Sequence, residues 1–221
     1  MLARLLVPLA LMLVAGFAHP QEQESRQAKL VLDEGVWVTF YDLPSRRFRA
    51  IRTAILASDS ESAKRDLAVS ASYISVEADR ASDNLREPLR EVVSRLKAHS
   101  ENIEGAGLQD LDRLFGRVHW LLAQHYLERA RRARDIRDNR STSLLLYAVT
   151  HHLERALLRN NVPVSREVHA TLEDLRDVAG RLQGANTFEQ AYREKPVVRA
   201  ERLLRQIGMQ IERPVLIATQ P

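Results

Sequence analysis

The stretch that decides the fold class reads LQDLDRLFGRVHWLLAQHYLERARRARDI (108–136), RDNRST (137–142) and SLLLYAVTHHLERALLR (143–159). In its first part Leu111, Leu114, Phe115, Val118, Leu121 and Leu122 recur at three- and four-residue spacing. That spacing lays one apolar face along a long helix. In its last part Leu144, Leu145, Ala148, Val149, His152 and Ala156 do the same. Asp138-Asn139-Arg140-Ser141 supplies turn and capping residue types between them. Two amphipathic helices joined by so short a polar turn are expected to fold back as an antiparallel hairpin.

Working toward the N-terminus, Asp42 and Pro44 open a helix carrying Phe48, Ile51, Ile55 and Leu56. Ser60 is expected to cap the next, with Leu67, Ala71, Ile74 and Val76. Ser82 or Asp83 starts another, with Leu85, Leu89, Val92, Val93 and Leu96. Gly105 and Gly107 mark a candidate subdomain boundary near 104–108. Toward the C-terminus, Asn160, Asn161 and Pro163 stop the hairpin. Ser165 then leads a helix with Val168, Leu172, Leu175 and Val178, and a last helix is expected from Pro196 to about Ile211.

The expectation is a mainly α chain of about six to seven helices, arranged as antiparallel hairpins or a bundle over residues 30–221. Its cadence resembles that of tetratricopeptide arrays, but their ~34-residue period and signature positions are not met. Residues 30–41 alternate β-branched and aromatic side chains, and a small β element pairing them with 214–219 is expected.

The first residues read as a targeting signal. Met1 to Arg4 form a positive lead, Leu5 to Phe17 an unbroken apolar run, and Gly16-Phe17-Ala18 a small-residue cleavage site after Ala18. The run falls short of the about 20 residues that ~30 Å of hydrocarbon requires. Residues 19–29 are a polar lead-in. The chain has no cysteine, which excludes a lipoprotein anchor and thiolate chemistry and suits export to a periplasm.

Composition agrees with packed helices. Apolar residues are 45% of the chain and aromatics only 5%, so the core must be mainly Leu, Val, Ile and Ala. The net charge of +4 is carried mostly by arginines interleaved with acidic residues. Mixed charge of that kind marks a solvated helix surface more than a nucleic-acid face.

One segment is echoed across the turn. His125-Tyr126-Leu127-Glu128-Arg129-Ala130 recurs as His151-His152-Leu153-Glu154-Arg155-Ala156. Each copy sets a histidine three residues before a glutamate, on one helix face. With a pivot between Asn139 and Arg140, His125 would face Glu154 and Glu128 would face His151. Such pairs either pin the register of the hairpin or, as His125, Glu128, His151 and Glu154 together, hold zinc, copper or iron. The apolar Val118, Leu121 and Leu122 behind His125 favour the structural role. Arg129, Arg131, Arg132 and Arg134 close the long helix, where cations complement the helix dipole. They also offer a surface for an anionic partner. The phosphate loop, the Gly-x-Ser-x-Gly elbow and the His-Glu-x-x-His zinc signature are all missing from the sequence. The expected function is therefore binding, to an envelope protein or to a second copy, without catalysis. A divalent-metal-binding periplasmic protein is the alternative.

Overall fold

Seven helices form along the described part of the chain, each where apolar periodicity called for one. They are α1 Leu43–Leu56, α2 Ser60–Arg80, α3 Asp83–Glu101, α4 Leu108–Asp135, α5 Asn139–Arg159, α6 Arg166–Gly184 and α7 Pro196–Ile211. The computed structural model describes residues 40–105, 107–184 and 195–211. The signal segment 1–18, the lead-in 19–29 and the strands expected over 30–39 and 214–219 lie outside them. Phe40 and Tyr41, at the end of the stretch read as β, form a turn.

Local chemistry sets the helix ends. Asp59, not Ser60, caps α2, its carboxylate accepting from the Ser62 N–H at 3.0 Å. Asp138 caps α5 in the same way, accepting from Ser141 N–H at 2.9 Å. A carboxylate at this position satisfies an orphan amide and meets the positive end of the helix dipole. That second cap starts α5 at Asn139, four residues ahead of the Ser143 start read from the apolar pattern.

Helices α1, α4 and α5 end on left-handed residues that are not glycine: Ser58, Arg137 and Asn161, at φ 58°, 60° and 52°. Each closure places the next amide on a carbonyl five residues back. Asp59 bonds Ala54 at 2.8 Å, Asp138 bonds Ala133 at 2.9 Å and Val162 bonds Leu157 at 3.0 Å. A side chain strains that backbone. Ser58→Gly is therefore expected to stabilise the fold by about 0.5–1 kcal/mol, read as a raised urea midpoint at unchanged m-value.

Consecutive helices pack in order, α1 on α2 through to α6 on α7, with the α4–α5 pair the most extensive contact. Helix α7 then folds back onto both α4 and α5, and α1 also reaches α4. The echoed hairpin is thus the centre of the bundle. Its core is aliphatic with few rings. Phe48 of α1 stacks on Phe115 of α4 at 4.0 Å, both fully buried. Asp112 ties α1 to α5, accepting from Arg52 and, at 2.8 Å, from Arg159. Leu56 and Val76, read as members of apolar stripes, face outward instead. Val76 lies two residues past Ile74, about 200° round the helix at 100° per residue.

Where α7 crosses α4, a glycine admits a ring. A Cβ on Gly208 would sit 2.7 Å from Cζ2 and 2.8 Å from Cη2 of the buried Trp120. Gly208→Ala is expected to destabilise by about 1–3 kcal/mol despite alanine's better helix propensity, because a packed indole must shift. Thermal melts of the two proteins check it. Among the described residues no helix is long and apolar enough to cross a membrane.

Candidate functional site

Glu77 of α2 lies within an otherwise apolar stripe formed by Leu67, Ala71, Ile74 and Ala78, and it is completely buried. A carboxylate there must find partners, because burying it alone is prohibitive. Three side chains from α4 meet it. His125 Nε2–H donates to Oε2 at 2.9 Å, Tyr126 donates to Oε1 at 2.9 Å, and Arg129 Nη1 approaches Oε2 at 3.4 Å. These three residues share a face because positions three and four apart on a helix are neighbours. Tyr73, one turn before Glu77, joins its hydroxyl to that of Tyr126 at 2.9 Å. The Arg129 guanidinium also lies 5.3 Å from the centroid of the Tyr126 ring.

The hub continues into α5. His152 sits between two α4 residues seven apart: its ring stacks on Tyr126 at 5.4 Å, and its Nδ1 lies 2.8 Å from Nδ1 of His119. One of those two nitrogens must donate and the other accept, so at least one ring is neutral. His151 turns toward α1, where its Nε2 lies 2.7 Å from the Ser45 hydroxyl and its ring meets Tyr41 edge-on.

Burial shapes the titration of this cluster. It holds the pKa of His119 and of His152 well below the usual imidazole value, each helped by neighbouring histidines. His151 is brought down to about 4, first by burial and then by the Arg155 cation. Burial, and then the charge of Glu77, push Tyr73 and Tyr126 above the usual phenol range. The imidazoles are therefore neutral at physiological pH.

The four residues read as a metal set are not brought together. His125 pairs with Glu77 of α2 rather than Glu154, and His151 with Ser45 rather than Glu128. Glu128 instead accepts from Ser82 and Asn84 at the start of α3. Glu154 pairs with Arg176 of α6. Among the described residues no group of three or more His, Asp or Glu side chains is arranged to hold a metal ion. The reason is register. The turn falls at Ile136–Asp138 rather than between Asn139 and Arg140. His152, not His151, therefore faces α4, while His125, one residue before Tyr126, swings about 100° round toward α2.

The arginine surface also needs correction. Arg129 is only 5% exposed and belongs to the hub. Arg131 pairs with Glu201 of α7 at 2.7 Å, and Arg134 with Asp135 at 2.8 Å. Arg132 remains at the surface. It lines a cleft of about 410 Å³ with Arg80, Arg129, Ala133, Ile136, Asp138, Ser141 and Leu145. The cleft thus opens beside the α4–α5 turn, where the end of α2 meets it.

Glu77, Tyr73 and His119 escaped the sequence reading. The signal for Glu77 was present: a carboxylate three residues after Ile74, inside an apolar stripe, and one turn beyond Tyr73. His119 likewise occupies a core position between Phe115 and Leu122.

No protein-family model, no curated protein and no solved structure matches this chain.

Proposed function

We propose that this is an exported, periplasmic helical protein that acts by binding a component of the cell envelope, and that it carries out no chemistry of its own. The observation behind this reading is how the reactive side chains are used. Glu77 and the buried histidines bond to one another, or to Ser45, inside packed helices. The accessible concavity by the α4–α5 turn offers guanidinium, hydroxyl and apolar groups, which hold a ligand rather than transform it. Buried polar networks of this kind also hold helices in one register, which keeps such a surface in shape.

Two measurements test it. Fractionation with N-terminal sequencing is expected to find a chain beginning at His19 in the periplasm; an uncleaved cytoplasmic chain overturns export. A photo-crosslinking residue in place of Arg132 is expected to give a discrete adduct in cells that the same residue at Arg65, exposed on α2, does not. Equal, diffuse labelling at both positions overturns binding at the cleft.

A further inference from the structure

We infer that the cleft beside the α4–α5 turn binds a single-chain anionic amphiphile, with a carboxylate or phosphate monoester held by its arginines and the alkyl chain on its apolar side. This rests on the binding function proposed above and names the ligand class.

Charge comes first. Arg80, Arg129 and Arg132 line the cleft against a single carboxylate, that of Asp138. Asp138 is already committed, since it caps α5 and accepts from the Ser141 N–H at 2.9 Å. Guanidinium groups present paired N–H donors that match carboxylate and phosphate oxygens, and they keep their charge at any pH the envelope reaches.

The second element is apolar. Ala133 and Leu145 are buried in the lining, whereas Ile136 is 77% exposed. An exposed isoleucine beside a cationic cleft leaves apolar area that an alkyl chain would cover. At about 25 cal/mol per Å², that burial is favourable.

Size and depth then separate the occupants. The volume of about 410 Å³ lies in the range of small-ligand sites, roughly 300–1,000 Å³. A stable protein contact would instead need on the order of 1,000 Å² of complementary surface. The lining is also graded in depth, from exposed Arg132 to Arg129 at 5% exposure. A flat layer of headgroups reaches the outer cation, whereas one headgroup entering the cleft reaches both. Arg129 in turn rests on Glu77, so the innermost part of the cleft is anchored to the polar hub.

Isothermal titration of the purified mature protein with decyl phosphate and with decanoate, each below its micelle concentration, tests the inference. At least one is expected to bind, and comparing them tells which anion is preferred. Decanol and inorganic phosphate are each expected to bind at least about tenfold more weakly, because each lacks one half of the recognition. Arg132→Glu and Ile136→Glu are each expected to weaken binding by at least about tenfold, and Arg65→Glu to leave it unchanged. Both altered side chains are exposed, so circular dichroism and melting are expected to match the parent protein.

Equal affinity for decanol, or full affinity in Arg132→Glu, overturns the inference. If neither amphiphile binds while the cross-link at position 132 joins a protein, the amphiphile falls and the binding function stands. If the cross-link is lost as well, both fall.

Discussion

Glu77→Ala is expected to lose about 3–5 kcal/mol of folding stability, the largest effect of any single substitution at the hub. The carboxylate accepts from His125 and Tyr126 and balances the charge of Arg129, all within a core that excludes water. Truncation strands two hydrogen-bond donors and leaves a guanidinium without its buried counter-charge. Glu77→Gln keeps the volume and one acceptor oxygen but loses the charge, so a smaller loss of about 2–3 kcal/mol is expected. The double variant Glu77→Leu with Arg129→Met removes both charges together and should recover much of the difference, since buried ion pairs are often replaceable by apolar groups of similar size. Urea unfolding of the four proteins supplies the measurements. A loss below about 1 kcal/mol for Glu77→Ala would show that the hub contributes little to stability.

The second large effect is acid destabilisation. His119, His151 and His152 have native pKa values below the unfolded value of 6.5, His151 at about 4. Between the native and unfolded values the unfolded chain binds more protons, so stability rises with pH and falls as acid is added. The loss begins as pH drops through about 6.5 and continues toward about 4. Each histidine contributes up to ~1.4 kcal/mol per pH unit, for a combined loss of about 3–5 kcal/mol between pH 6.5 and 5. The geometry agrees in sign. Protonating both His119 and His152 would place two N–H donors against each other where one bond now forms at 2.8 Å. His151 faces both signs of charge, Arg155 and Arg176 against Asp42 and Glu154, and burial outweighs them all.

Unfolding free energies across pH 7.5 to 4 check the slope. His151→Gln should flatten the curve by about 3 kcal/mol over pH 6.5 to 4, since an amide does not titrate there. A curve flat from pH 7.5 to 5 contradicts the account.

Much of this architecture was legible in one dimension. The spacing of Leu111, Leu114, Phe115, Val118, Leu121 and Leu122 implied α4, and that of Leu85, Leu89, Val92, Val93 and Leu96 implied α3; in both helices these side chains are buried. Helix position and inward face follow from a local period, which a chain carries whatever its neighbours do. The echoed His–Glu segments were equally visible, and they mark the two helices at the centre of the bundle.

What the echo pairs with was decided only by the tertiary structure. Asp138 caps α5 and moves the turn to Ile136–Asp138, and a shift of a few residues along a hairpin reassigns every facing position. His125 then meets Glu77, 48 residues earlier in the chain, a partner that no spacing rule can supply. The arginine run divided for the same reason. Arg129 points in, Arg131 pairs with α7, and Arg132 lines the cleft. Which face of a helix is apolar is a property of its own sequence; which polar groups meet within the core depends on how the other helices are rotated and aligned against it.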